Sequence, residues 1–595
     1  MKPFRAFPRG TAAALAVVLA AALLLPKTSR AQEPGIRVAW DYATRTEISE
    51  SGNYARMMRL GDSDTLLATY VHAPGPTDVA VQRSFDGGRT WGARIHATRG
   101  LRPETTQNNP ELFQLDNGNV LLAYGMRPKE DSTGTPFSLS VSVSRDSGRT
   151  WTHRATVYEA GSSNENGVWE PIIRQLPSGR LQLYAANEAP YDRSDDQEIS
   201  MWTSTDRGRT WSEDFVTTSY RHGSRDGMPV PVLLENGGGE NGGGIAYIIE
   251  DPGWPGCGGF KPTIIWTPSV EDAWAEAPIR AGSDQRWRAM EPSERVPCGV
   301  YAGMPYLVQF PQGETVLSVH PEWGPGGRRR DRPNMMTAVG DAEVKHFSRR
   351  SWPLDVPADK ETSWGSLTVK DSSTVTATTS YGFRGPVVAI DGHRIPEPVA
   401  YEAGRPLDVD GQLDEDAWAG AHETFVGARS LTRGWFRPLW HGDVLYLSCE
   451  VENARFGKAA RSRAPACLFE LYGPQGETSY RVAAGPGVNA RFQQRPAASA
   501  ASWRAWDRPR GAAVSVARAN DGEGRYAVEV RLPWVALGGQ PALGQGWGVN
   551  YGLRRMGEED TARIEYVSGN DPDRPAETWQ RMTRSEEPPG EGPPR

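Results

Sequence analysis

The chain has 595 residues, among them 65 glycines, 47 prolines and 21 tryptophans, and a formal net charge of −7. That length exceeds what one ordinary core organises, and the Gly, Pro and Trp content suits a turn-rich, mostly β protein of two domains. The acidic balance argues against nucleic acid or an anionic membrane as partner.

Residues 1–31 read as a cleavable signal peptide. Lys2, Arg5 and Arg9 precede an apolar run from Thr11 to Leu25, and Ser29-Arg30-Ala31 offers a small-residue cleavage site. Removing them takes away five cations (Lys2, Arg5, Arg9, Lys27, Arg30) and no acid, so the charge moves from −7 to −12. The expected location is secreted or periplasmic, and no later run is long and apolar enough to span a bilayer.

Six hairpin patterns follow, each two short β-rich runs around a turn of Gly, Asn, Asp or Ser. They are YARMMRLGDSDTLLATYVH from Tyr54, NPELFQLDNGNVLLAYGMRP from Asn109, EPIIRQLPSGRLQLYAANE from Glu170, MPVPVLLENGGGENGGGIAYIIE from Met228, MPYLVQFPQGETVLSVHPE from Met304 and WGSLTVKDSSTVTATTSY from Trp364. Six repeats of this size predict six blades of a β-propeller. The glycine tract from Gly237 to Gly244 reads as a hairpin tip, because no strand-to-helix context would make it a phosphate cradle. After the first three hairpins, at sixty-residue spacing, come SFDGGRTW from Ser84, SRDSGRTW from Ser144 and STDRGRTW from Ser204. Asp and Gly shape a turn and Trp packs between blades, a scaffold role. TPSVEDAW, ending at Trp274, reads as a degraded fourth copy.

A hairpin brings the start of its first strand and the end of its second to one edge, so those positions in all six blades converge on one face. The starts supply Arg56, Asn108, Asn109, Glu111, Trp169, Glu170, Arg225 and Asp226. The ends supply His72, Arg127, Glu188, Glu250, Asp251, His320 and Glu322. About half of such a list is solvated rim. Carboxylates that follow bulky apolar runs stand out: Glu170 in GVWEP and Glu250 closing IAYIIE, on neighbouring blades. Two carboxylates across one pocket are what glycoside hydrolysis needs, one to attack or activate water and one, raised in pKa by burial, to protonate the leaving oxygen. Glu188 is the rival for the second role, and an ion pair with a nearby Arg is the structural alternative for each.

The repeated S-x-D-x-G-x-T-W phrase resembles the Asp-box of sialidase-like propellers. The stretch from Tyr54 to Ile390 resembles six-bladed glycoside hydrolases of the sialidase superfamily, closest to the exo-1,5-α-L-arabinanase-like branch, glycoside hydrolase family 93. The resembling phrases are GVWEP, RDGMPVPVLLENG, IAYIIE, MPYLVQFPQGETVLS and WGSLTVKDSSTV. The resemblance implies an exo-acting, retaining hydrolase, favouring an arabinan-type α-L-arabinofuranoside, with Glu170 as nucleophile and Glu250 as acid/base. Arg56, Asn109, Glu111, Arg127, Trp169, Glu188, Arg225, Asp226, His320 and Trp364 are the expected substrate-binding residues.

Sialidases are the competing family. They need three arginines and a Tyr nucleophile; Arg56, Arg127 and Arg225 offer a cluster, but Trp364-Gly365-Ser366-Leu367 stands where their Y-S-x-L-like phrase falls. Gly75 and Pro76 likewise stand around the place of their acid Asp, leaving Asp78. An exo-α-sialidase is therefore the alternative reading, and a catalytically inactive glycan-binding propeller the second.

The propeller is expected over 32–396, with a Pro-containing linker over 397–406. From Leu407 to 584 the phrases LDVDGQLDEDAWAGA, VLYLSCEVEN, YAVEVRLPWVAL and WGVNYGLRRM resemble family 9 carbohydrate-binding modules, a β-sandwich. Asp410, Gly411, Asp414 and Trp418 read as turn formers and a core anchor. Trp435, Phe436, Trp440, Trp503 and Trp506 are candidates for sugar stacking or for core. Residues 585–595 are expected to be disordered. Cys257 with Cys298 in the first domain and Cys449 with Cys467 in the second suit one disulfide per domain in an exported protein, with free thiols the alternative. No C-x-x-C or His-rich spacing points to metal, and no cofactor is expected.

Overall fold

A computed structural model describes residues 35–585 except 62, 73–77, 130–133, 236–242, 325–327, 355, 358, 427–432, 453–465, 473–477, 487, 497–503, 519–524, 544, 546, 557–561 and 567–579. The expected signal peptide, Gly75, Pro76, most of the glycine tract, Trp503 and nearly all of the tail fall outside the described residues.

Six four-stranded antiparallel sheets form the blades. Their inner strands are Asn53–Arg59, Thr105–Gln114, Val168–Gln175, Gly227–Glu235, Ala302–Gln309 and Thr362–Val369, and each packs against the next until the sixth meets the first. The second and third strands lie between neighbouring blades, so both their faces are covered. Leu66–Val71, Ser138–Ser144 and Leu181–Asn187 are buried at every position. In Ser138–Ser144, SLSVSVS, small serines alternate with Leu and Val, letting the strand fit close neighbours on both sides.

The sixth blade is closed from the other end of the chain. Ile36–Ser49 pairs antiparallel with Val387–Pro396 as the outermost strand, from Ile36 against Pro396 to Ser49 against Val387. This strand has no hairpin partner near it in sequence, so the hairpin pattern does not reveal it.

The three S-x-D-x-G-x-T-W phrases sit between the third and fourth strands of blades one to three. In each, the Ser hydroxyl donates to the Asp and accepts the Gly N–H, as in Ser144 to Asp146 at 2.8 Å and Gly148 to Ser144 at 2.8 Å. The Asp in turn accepts two backbone N–H groups and the Thr hydroxyl. Asp206 is desolvated somewhat, yet the Thr210 bonds outweigh this and hold its pKa down at about 2. Trp274, in the degraded copy, is buried and donates its indole N–H to Tyr184 at 2.9 Å.

Among the described residues the C-terminal strands run as one continuous 13-stranded sheet, whose two halves are joined through Gln580–Ser585 and share one apolar core, with Phe436, Val451, Phe469, Val530 and Tyr551 among the buried side chains. One correction concerns the expected linker: Val399–Glu402 is a strand, pairing parallel with Gln580–Ser585 and with Arg433–His441. The opening V-D-G phrase is fastened by Glu529, which accepts the N–H groups of Asp410 (3.1 Å) and Gly411 (2.7 Å) and the Trp418 indole (3.1 Å). Gly411 has φ of +91°, and a Cβ there would meet the Ala517 nitrogen at 2.7 Å. Phe436 and Trp440 are buried in the core, which removes them from sugar stacking. Trp506 packs on Tyr480 and Phe492, and Trp435 is half-buried. Cys257 is bonded to Cys298, and Cys449 to Cys467 across the two halves of the sheet.

Candidate active site

Every inner strand breaks its ladder at the same place. The register slips after Asn53, Asn108, Trp169, Gly227, Gly303 and Ser363, and the next residue takes a left-handed conformation: Tyr54, Asn109, Glu170, Met228, Met304 and Trp364, with φ between +45° and +59°. None is a glycine, so each carries strain, and strain repeated around an axis marks a site the surrounding packing enforces. These six residues are also the first residues of the six hairpins. Four are apolar or aromatic, and Tyr54, Met228, Met304 and Trp364 cluster with Val71. Asn109 and Glu170, on consecutive blades, make the polar side of the ring.

Glu170 and Glu250 belong to this ring by different routes. Glu170 occupies the bulge of blade three; Glu250 lies on the second strand of blade four, opposite Gly227. Glu170 Oε2 accepts the Met228 N–H at 2.9 Å and Glu250 Oε2 the Met304 N–H at 2.8 Å. Gly303 is required here by close approach, because a Cβ would fall 2.6 Å from Glu250 Oε2. Both side chains keep partial access to solvent. Burial raises both carboxyls, but their surroundings differ. Arg127, Arg56 and Arg225 oppose the rise at Glu170, whereas Glu250 feels the Glu170 charge and is pushed up to about 8. The Glu170 charge thus adds to burial in favouring the protonated form of Glu250.

Around them the structure gathers several of the expected residues. Arg127 lies over the Trp169 ring at 4.6 Å and donates to Asn109 Oδ1 at 2.6 Å. Trp169 also meets Phe137 edge to face. Arg56 is buried, donating to Glu111 at 3.0 Å and to the Trp364 carbonyl at 2.8 Å. Glu111 accepts the Tyr306 hydroxyl at 3.0 Å, joining blades one, two and five across the axis. Trp364 meets the exposed Phe383 edge to face at 5.7 Å. Arg225, 41% exposed, pairs with the buried Glu188 and donates to Gln197 at 3.0 Å. Glu188 is thus committed to an ion pair.

Two expected ligand-binding residues are corrected. Asp226 is fully buried, gripped by both Arg286 nitrogens (2.8 and 2.6 Å) and the Ser219 hydroxyl (2.8 Å), in a cluster that includes Asp251 and Arg221. His320 is equally buried; its Nδ1 meets the Thr362 carbonyl at 2.9 Å and its Nε2 accepts the Gly365 N–H at 3.1 Å. Burial lowers its pKa to about 4, so it stays neutral. Neither has an atom left for a ligand. Sequence reading also passed over Tyr54, whose ring sits 3.9 Å from the Arg56 guanidinium carbon, and Tyr301 beside Glu250. Among the described residues no group of three or more His, Cys, Asp and Glu is disposed to hold a metal ion.

Comparisons with known proteins find partial similarities. No family model matches the chain. A 173-residue stretch, 24% of the chain, is 31% identical to a sialidase of Micromonospora viridifaciens, and it spans 26% of that protein's length. The GH93 α-L-arabinofuranosidase of Fusarium graminearum, solved with arabinobiose, aligns over 60% of this chain and 97% of its own at 19% identity and a TM-score of 0.44. A family 9 carbohydrate-binding module of Caldicellulosiruptor kristjanssonii, solved with cellotriose, aligns over 32% of this chain and 94% of its own at 13% identity and a TM-score of 0.25.

Proposed function

We propose that the protein is an exported glycoside hydrolase that removes neutral sugars, arabinan-type α-L-arabinofuranosides foremost, from chain ends with retention of configuration. The observation that carries this reading is the matched seating of Glu170 and Glu250 on neighbouring blades, each carboxylate accepting the backbone N–H of the left-handed residue on the next inner strand.

Glu170 attacks the anomeric carbon as the glycosidic bond breaks, and the Glu250 proton goes to the departing oxygen. The Glu250 carboxylate then takes a proton from water, the water oxygen bonds to the anomeric carbon, and the Glu170 carboxylate leaves. Burial and then the Glu170 charge hold the Glu250 proton. As Glu170 is esterified its charge is lost, so Glu250 gives up its proton to the leaving oxygen more readily.

The neutral-sugar preference is supported by how the arginines are employed. Arg56 is spent on Glu111 and three carbonyls and Arg225 on Glu188, which leaves a poor grip for a substrate carboxylate. Trp364, with no phenol, holds the ring position of blade six. The aromatic pair Trp364 and Phe383 suits the C–H faces of a sugar. The sandwich module would add a second contact to the same polymer.

The test is a panel of nitrophenyl α-L-arabinofuranoside, sialoside, rhamnoside and galactoside with wild type and Glu170→Gln. Turnover of the arabinofuranoside, falling at least about 1,000-fold in Glu170→Gln, is expected. Turnover of the sialoside alone would transfer the assignment to the sialidases.

A further inference from the structure

Tyr301 stands immediately before the inner strand of blade five and belongs to neither acid-bearing strand. A Cβ placed on Gly303 would lie within 2.6 Å of both the Tyr301 hydroxyl oxygen and Glu250 Oε2, so the two oxygens are at most about 5 Å apart. Among the described residues the Tyr301 hydroxyl makes no hydrogen bond, and it is not sealed from solvent. Burial, and then the charges of Glu250 and Glu170, push the phenol up, so it remains a neutral donor at all working pH values. It therefore stands beside Glu250 with its proton unused.

The ring is held in that position from behind. Phe260 meets it edge to face at 5.9 Å, and the Phe260 carbonyl accepts the Ala302 N–H at 3.1 Å. Lys261 Nζ donates to the carbonyls of Gly258 and Val300, both at 2.7 Å, and the Cys257–Cys298 disulfide joins the same two segments. Such fastening exceeds what an idle surface tyrosine needs.

Two oxygens that do not bond each other yet lie within about 5 Å can both reach one further oxygen at about 2.8 Å from each. We propose that Tyr301 is a further catalytic group, donating a hydrogen bond to the oxygen on which Glu250 acts. That atom is the glycosidic oxygen as its bond to the anomeric carbon breaks, and then the attacking water. The phenol keeps its proton throughout; Glu250 alone gives one up and takes one back. The inference rests on the reading of Glu250 as acid/base.

The test compares wild type, Tyr301→Phe and Tyr301→Ala on two substrates. An arabino-oligosaccharide has a poor leaving group and needs its departing oxygen stabilised; 4-nitrophenyl α-L-arabinofuranoside does not. Tyr301→Phe, folded with an unchanged Tm, is expected to lower kcat/KM by about 10- to 100-fold on the oligosaccharide and less than about 3-fold on the nitrophenyl substrate. A tyrosine that only packs predicts the reverse ordering of variants, with Tyr301→Phe equal to wild type and Tyr301→Ala impaired equally on both substrates. That outcome overturns the proposal while leaving the acid pair intact. Absence of glycoside turnover by wild type would overturn both.

Discussion

Glu170 and Glu250 are fixed by one device used one blade apart: each carboxylate accepts the backbone N–H of the left-handed residue on the next inner strand, Met228 or Met304. The bulge thus does two things at once. It turns one side chain toward the axis and aims its own N–H at the acid of the preceding blade.

The first prediction concerns pH. Glu250 must be protonated for the first step, so kcat/KM falls as pH rises through about 8. In Glu170→Gln the neighbouring charge is gone, and the Glu250 pKa, followed by NMR, moves down. The stability sign follows from linkage. The native state holds the Glu250 proton more tightly than the unfolded chain, so this contribution is full below the ordinary Glu pKa and is lost as pH rises toward 8. Glu250→Gln should therefore raise Tm relative to wild type at pH 8 and leave it unchanged near pH 4, while abolishing acid/base catalysis.

Asp226 should behave as structure. Asp226→Ala leaves Arg286 buried against Asp251 alone and is expected to cost about 3–5 kcal/mol in urea unfolding. A direct role in sugar binding would instead appear as a raised KM in a protein of normal stability.

The Asp-box serine offers a milder case. Ser144 accepts the Gly148 N–H and donates to Asp146, so Ser144→Ala should cost about 1 kcal/mol. Its kcat should match wild type, because the box lies on the outer part of the blade; a change in kcat at unchanged fold would contradict that placement.

The Cys257–Cys298 bond carries the wall behind Tyr301. Replacing both cysteines with serine should cost about 3 kcal/mol in stability and lower kcat on the oligosaccharide more than it raises KM. A loss confined to stability would uncouple the staple from the site.

The six blades could be counted from sequence because hairpin periodicity is local and each turn residue announces itself. That Glu170 and Glu250 come to one face was legible because each lies at the open edge of its hairpin. Tyr301 was not, since a tyrosine between Val300 and Ala302 reads as one more packed aromatic. Asp226 misled for a related reason: its partner Arg286 lies 60 residues away on the outer strand of the same blade, a contact made by folding rather than by spacing. The six left-handed residues were also silent, because none is the glycine that normally marks such a conformation.

The pairing of Ile36–Ser49 with Val387–Pro396 makes the ring a belt whose buckle is its first and last strands. Until both have been made, blade six offers an open edge to any extended segment nearby. A protein begun after residue 50 would keep every acid and arginine of the site and still lack the piece that fastens them, so its failure would show as self-association before it showed as lost chemistry.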